Sequence, residues 1–189
     1  MSLAAMSGAS RSRHEARPDI GVSNMILGIH HTAIATRDIE SLSAWYCDMF
    51  GLTKLCDDGW SGAPQLDKIV GLPNSAARFM LLSGGNHCVE LFQFDSPDPG
   101  EHTPFRPVSK PGFTHICFAV DDIEGEYRRL SEAGMEFHCA PTVAADRPLL
   151  ATYGRDPDGN VVELLQVIDE GPFAFATTQP VWKAAIRGV

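Results

Sequence analysis

The middle of the chain alternates between short apolar stretches and polar turns, and the spacing of its apolar positions predicts a mixed α and β fold. Residues 26–36 are rich in β-branched side chains and predict a strand. In residues 39–50 large apolar side chains recur at a helical period, with Asp38 before them as a capping residue and Gly51 after them as a stop. Two further strands, joined by a Ser-Gly-Gly-Asn turn, are predicted at residues 77–82 and 87–94.

Two polar stretches flank this pair of strands. Residues 56–76 are rich in Asp, Gly, Pro and Ser, which predicts that they are mainly loop. Residues 95–111 are rich in proline and predict a linker. Beyond the linker a strand, a helix, a short strand and two longer strands are predicted at residues 113–120, 122–133, 136–139, 149–153 and 160–167.

An internal repeat relates the two halves. Residues 31–40 align without gaps with residues 115–124, which lie 84 positions later, and five of the ten are identical. Residues 89–93 (Val-Glu-Leu-Phe-Gln) align with residues 162–166 (Val-Glu-Leu-Leu-Gln), which lie 73 positions later. The core is therefore predicted to contain two copies of one strand–helix–strand–strand–strand unit, a βαβββ module.

The repeat also sets the predicted organisation of the chain. The modules span residues 26–95 and 112–168, within a single domain 26–168. The two offsets differ by 11 residues, and we assign most of this extra length in the first module to the loop at 56–76. Residues 1–25 have no apolar period and no secretory core, which predicts a disordered leader, and residues 169–189 form a tail.

Each module opens with a strand that carries a histidine and closes with a strand that carries a glutamate. These residues are His31 and Glu90 in the first module, and His115 and Glu163 in the second. Because side chains alternate along a strand, each histidine shares a face with small residues and lies opposite the bulky ones. This predicts that the bulky face packs under the helix and that the histidine face lines a cavity.

These four residues have the chemistry of a metal site. A carboxylate between apolar strand residues is costly to bury unless it is paired or bound to a cation. Two imidazoles and two carboxylates suit one divalent ion, namely Zn, Ni, Co, Mn or Fe, with water or substrate in the remaining positions. The competing interpretation is that matched residues persist for packing alone, since a duplication does not by itself imply a site.

Composition limits the partners. The 189 residues include 15 Lys and Arg against 24 Asp and Glu, which gives a formal net charge of −9. This balance argues against nucleic acid and anionic membrane surfaces as partners, and no apolar run approaches the roughly 20 residues of a membrane span. Five scattered cysteines without a CxxC pair predict reduced thiols in a cytoplasmic protein.

Three motifs resemble the vicinal oxygen chelate superfamily, which includes glyoxalase I, methylmalonyl-CoA epimerase, extradiol dioxygenases, and fosfomycin- and bleomycin-resistance proteins. They are residues 30–40 (HHTAIATRDIE), 112–123 (GFTHICFAVDDI) and 156–164 (DPDGNVVEL). The resemblance implies an α+β fold in which two tandem βαβββ modules form a curved mixed sheet around a metal-binding cup. In the family the ligands come from the first and last strands of each module, and those positions are again His31, Glu90, His115 and Glu163 here.

The complete His/Glu/His/Glu set most resembles glyoxalase I, with the epimerase close behind. It implies a metal-dependent lyase or isomerase that transfers a proton alpha to a carbonyl, through a metal-stabilised enediolate, in a small carbonyl or thioester substrate. By resemblance Glu163 is the first choice for the base and Glu90 the second. Arg78 is a candidate substrate anchor, with Arg147 and Lys110 as others.

Family precedent also implies a homodimer, with the site formed within one chain or across two. Two alternative functions remain open. One is a non-haem Fe(II) extradiol-type dioxygenase, which uses two histidines and one carboxylate. The other is a non-catalytic resistance protein that binds a small molecule in an empty cup.

Overall fold

A computed structural model of the chain describes residues 29–101, 104–144 and 147–169. The predicted leader and all but the first residue of the predicted tail lie outside the described residues. The first module contains β1 (His31–Ala35), α1 (Ile39–Phe50), β2 (Thr53–Ser61), α2 (Pro64–Val70), β3 (Ala76–Ser83) and β4 (Cys88–Ser96). The second contains β5 (His115–Ala119), α3 (Ile123–Glu132), β6 (Glu136–Phe137), β7 (Thr142–Val143), β8 (Leu149–Arg155) and β9 (Val161–Val167).

The strands form one mixed sheet in each module. The first sheet has the order β1-β4-β3-β2, and the second has the order β5-β9-β8-β6 with β7 also paired to β8. In each sheet the opening and closing strands, β1 with β4 and β5 with β9, run parallel, and the remaining neighbours are antiparallel. This confirms the α+β fold of two tandem βαβββ modules, and its hydrogen bonding divides the strands into two sheets.

The two long helices begin in the same way. Asp38 accepts a 3.0 Å hydrogen bond from the backbone of Ser41, and Asp122 accepts one of the same length from Gly125. α1 has the predicted bounds and ends at Gly51, which adopts a left-handed conformation with φ of 66°. Local sequence therefore determines where these helices start, and the repeat is visible in their caps.

The helices cover one face of each sheet and join the modules. Apolar residues of α1 are buried against β3 and β4, and those of α3 against β9. α1 also reaches the second module, where the ring of Phe50 stacks on that of Phe118 with 4.2 Å between centroids. Within the described residues, neither α1 nor α3 packs on the opposite face of its sheet.

The prediction that residues 56–76 are mainly loop is wrong, because β2 and α2 occupy most of this stretch. β2 lies at the sheet edge, is mostly exposed and pairs only with β3, so it lacks the apolar alternation of a half-buried strand. Gly59 lies within β2, and a Cβ there would approach the carbonyl oxygen of Ala77 to 2.6 Å. This glycine permits a close strand approach and is not a turn residue.

Two remaining features of the structure are the lengths of its helices and the state of its cysteines. Among the described residues no helix has the length and apolar character needed to cross a bilayer. The five cysteines are all free thiols in the structure.

Candidate functional site

The opening histidine and the closing glutamate of the first module form a pair. β1 and β4 are neighbours in register, with Ala33 opposite Glu90, and the His31 side chain reaches along this strand pair. Its Nε2 lies 3.1 Å from Oε2 of Glu90. The glutamate side chain is 15% exposed and the histidine 38%, so the carboxylate is the more protected partner.

The second module repeats this arrangement. Cys117 of β5 lies opposite Glu163 of β9, which is the same register as in the first module. Nε2 of His115 lies 3.0 Å from Oε2 of Glu163, and the glutamate is again 15% exposed. Two duplicated strand pairs therefore place an imidazole and a carboxylate in contact at equivalent positions.

Both pairs lie on the sheet faces opposite those that α1 and α3 cover. In β4, Val89 and Leu91 are buried beneath α1, and Glu90 between them points the other way. In β9, Val162 and Leu164 are buried beneath α3, and Glu163 lies on the opposite face. The predicted alternation of bulky and functional faces is confirmed.

The second nitrogen of each imidazole is held by the preceding residue. Nδ1 of His31 lies 2.8 Å from Nδ1 of His30, and Nδ1 of His115 lies 2.9 Å from Oγ1 of Thr114. Each Nε2 is thus left facing the glutamate of its own pair.

Two groups beside Glu163 stay neutral. Burial, reinforced by the adjacent Glu163 carboxylate, raises the pKa of Cys117 to about 12. Burial and the same carboxylate raise the pKa of Tyr153, which lies opposite Glu163 in the sheet with its ring centroid 5.0 Å from that of His115. Sequence reasoning missed Tyr153, since its place in the site follows only from the pairing of β8 with β9.

Arg78 lies apart from these pairs. It shares a face of β3 with the buried Met80 and therefore lies on the helix side of the sheet. Its guanidinium lies 2.7 Å from carboxylate oxygens of both Glu40 and Asp57. The hydrogen bonds from Arg78 and Lys54 lower the pKa of Asp57 to about 2, so Arg78 is a surface ion-pair residue in this structure.

Within each pair, the separation of the histidine nitrogen and the glutamate oxygen fits the binding of one divalent ion. Two ligand atoms bound at right angles at about 2.1 Å are about 3 Å apart, and the histidine–glutamate separations are 3.1 and 3.0 Å. Across the described residues, the structure contains no group of three or more His, Cys, Asp or Glu side chains arranged to hold one metal ion. The structure therefore brings the four residues together as two separate pairs.

Two cavities flank the second pair. One, of about 590 Å³, is lined by Glu163, Tyr153 and mainly apolar or small residues of the second sheet. The other, of about 350 Å³, lies between the modules and is lined by His115 together with residues of β1 and the linker. The pair is thus reached from two sides, and Glu163 faces the larger cavity.

Comparison with known proteins places the chain in a family. Residues 28–164 match the Glyoxalase/Bleomycin resistance protein/Dioxygenase superfamily, and the chain belongs to it. It is 30% identical over 146 residues to the uncharacterized protein YaeR of Escherichia coli (strain K12), covering 73% of this chain and 95% of that protein. It is also 30% identical over 150 residues to an ethylmalonyl-CoA/methylmalonyl-CoA epimerase of Cereibacter sphaeroides, covering 76% of this chain and all of that protein.

A solved structure supports the same fold. A glyoxalase family protein from Bacillus cereus superposes with a TM-score of 0.69 at 19% identity, covering 78% of this chain and 99% of that one. This likeness shows the fold, and the family match over residues 28–164 confirms the superfamily resemblance seen in the three sequence motifs.

Proposed function

We propose that this protein is a divalent-metal-dependent isomerase or lyase that transfers a proton alpha to a carbonyl group. The observation that carries the proposal is the duplicated contact between His31 and Glu90 and between His115 and Glu163, at 3.1 and 3.0 Å on the sheet faces opposite α1 and α3. Membership of the superfamily and the similarity to an enzyme named as an epimerase support it.

A bound divalent metal ion is part of the proposed function. The same four side chains would hold it, and when bound it would supply a Lewis acid that stabilises negative charge on the substrate oxygens. In the structure the histidine and the glutamate of each pair contact each other, and both side chains would have to direct these atoms to the ion instead.

Glu163 is the proposed base. It borders the larger cavity, where a substrate carbon can approach its carboxylate, and His115 fixes the orientation of that carboxylate. The thiol of Cys117 and the phenol of Tyr153 remain protonated and so do not compete with Glu163 for the substrate proton. Glu90 is the second choice, because it has the same partner geometry in the first module.

We propose an acyl-CoA thioester as the first substrate to test, because the enzyme of Cereibacter sphaeroides is named for ethylmalonyl-CoA and methylmalonyl-CoA. The hemithioacetal of glutathione and methylglyoxal is the second. The experiment incubates each substrate with the full chain and a divalent metal in D₂O, and follows loss of the alpha proton by NMR. We expect metal-dependent exchange of one of the two.

The variant that tests the base is Glu163→Gln. We expect it to lower the exchange rate by about 10²–10⁴-fold while most of the metal stays bound. The matched control is Glu132→Gln, which makes the same change at an exposed position on α3. A wild-type rate in Glu163→Gln would remove Glu163 from this role. If neither substrate exchanges and catechols are cleaved with Fe(II) and dioxygen, the protein is a dioxygenase instead.

The proposal includes a homodimer, as in the family. Sedimentation equilibrium of the full chain tests it, and a monomeric mass would contradict this part of the proposal.

A further inference from the structure

Two arginines line the cavity of about 350 Å³ between the modules, and neither forms an ion pair with a carboxylate of the described residues. Its lining includes residues 33–35 of β1, His115, Arg106 and Arg155. Within the described residues neither arginine forms an ion pair, whereas Arg78 and Arg129 do. In the described residues, neither guanidinium group is therefore neutralised by a carboxylate contact beside the proposed site.

Neutral acceptors hold the two guanidinium groups in place. Arg155 donates from Nη1 to the carbonyl oxygens of Gly159 at 2.7 Å and Arg106 at 3.2 Å, and from Nε to His138 at 3.3 Å. Arg106 donates to the carbonyl oxygens of residues 110, 111 and 113 in the linker. None of the Arg155 bonds to described residues uses Nη2, so its two N–H donors remain for a ligand.

Strand pairing fixes Arg155 on the same face as the proposed site. Arg155 lies opposite Val161 in β8 and β9, and Val161 lies opposite His115 in β9 and β5. The three residues are lateral neighbours, with strands about 4.8 Å apart, so Arg155 lies about 10 Å from His115 across the sheet. That span fits within one small substrate molecule.

We propose that this cavity binds an oxyanion, the carboxylate or phosphate group of the substrate, with Arg155 as the principal anchor and Arg106 in support. A guanidinium whose bonds all go to neutral acceptors keeps its full charge, and its planar fork matches the oxygens of a carboxylate or a phosphate. This deepens the proposed function and rests on it only for identifying the ligand as the substrate.

One acidic residue lines the same cavity and opposes the anion. Asp158 belongs to the turn between β8 and β9 and forms no ion pair with described residues. Its charge offsets one of the two arginines, so Arg106, Arg155 and Asp158 together leave one positive charge in the lining. Removing the Asp158 charge should therefore strengthen anion binding.

The test titrates the ¹⁵N-labelled full chain with inorganic phosphate in one arm and acetate in the other, at constant ionic strength because salt screens these charges. The readouts are the Arg155 Nε–H signal and the amide signals of Gly159 and Asn160. We expect saturable shifts with at least one probe, and the probe that binds more tightly identifies the anionic group. No saturable shift with either probe would overturn the proposal.

Three variants sharpen this test. Arg155→Gln should weaken binding of the probe at least tenfold, and Asp158→Asn should tighten it. Arg128→Gln, which removes one positive charge from an exposed position on α3, should stay within twofold of wild type. If Arg155→Gln also binds within twofold of wild type, the site is not where we place it.

If Arg155→Gln fails to fold, the titration of Asp158→Asn tests the proposal instead. Unchanged or weaker binding of the probe in that variant would overturn the proposal. Because binding is read without turnover, the result is independent of the proton-exchange test on Glu163.

Discussion

The phenol of Tyr46 donates a 3.0 Å hydrogen bond to Oδ2 of Asp156, which lies 110 residues further along the chain. Tyr46 is on α1 of the first module, and Asp156 begins the turn between β8 and β9 of the second. Both residues are buried, and Asp156 also accepts bonds from Asp158 and Asn160. A single polar contact thus ties the helix of one module to the turn that precedes the Glu163 strand of the other.

Removing the hydroxyl in Tyr46→Phe should destabilise the fold by about 1–3 kcal/mol, because a buried carboxyl oxygen loses one of its two donors. Urea unfolding followed by circular dichroism measures this free energy. Tyr127→Phe is the matched control, since the Tyr127 ring packs on Phe137 and its hydroxyl forms no bond to the described residues. Equal stability of the two variants would show that the bond between the modules contributes nothing.

The same carboxyl should make stability depend on pH. Burial raises the pKa of Asp156 above its usual 3.8, so the folded protein binds this proton more tightly than the unfolded chain. The contribution of Asp156 is therefore most favourable below pH 3.8 and is lost as the pH rises through its folded pKa.

Asp156→Asn removes this titration. Between about pH 4 and about pH 7, the free energy of unfolding of the variant should rise relative to wild type. Urea unfolding of both proteins across this range measures the difference. A difference that is constant, or that moves the other way, would contradict the raised pKa.

Two glutamines at repeat-related positions should stabilise the helix starts. Oε1 of Gln93 accepts a 3.0 Å bond from the backbone of Ile39, and Oε1 of Gln166 accepts a 2.9 Å bond from the backbone of Ile123. Gln166→Met should cost about 1 kcal/mol, because it leaves a helix N-terminal N–H without its partner. The same change at the exposed Gln65 on α2 should stay within about 0.5 kcal/mol, and a similar loss at both sites would remove the capping role.

The parts of the fold that local chemistry determines could be predicted from the sequence. Asp38 and Gly51 gave both ends of α1, because capping depends on residues adjacent in the chain. β2 could not be predicted, since an exposed edge strand has no apolar alternation and forms only by pairing with β3. The two-residue strand β7 was not predicted either, since it is also exposed and forms by pairing with β8.

The candidate site also contains some residues that the sequence predicted and others that only the structure revealed. The internal repeat singled out the pairs His31 with Glu90 and His115 with Glu163, and the structure brings each pair together. Arg155 and Tyr153 became candidates only through strand register, which places residues from distant segments side by side. The convergence of both pairs on one ion stays a prediction, because it depends on how the two modules meet around a metal.

A titration of the full chain with Co²⁺, followed by its visible absorption, shows most directly whether both pairs hold one ion. We predict one ion per chain, and at least tenfold weaker binding in both His31→Ala and His115→Ala, since one ion takes ligands from both pairs. His138→Ala, outside both pairs, should bind as wild type does. Two independent ions per chain, with each variant losing only one, or no bound ion at all, would contradict the central claim.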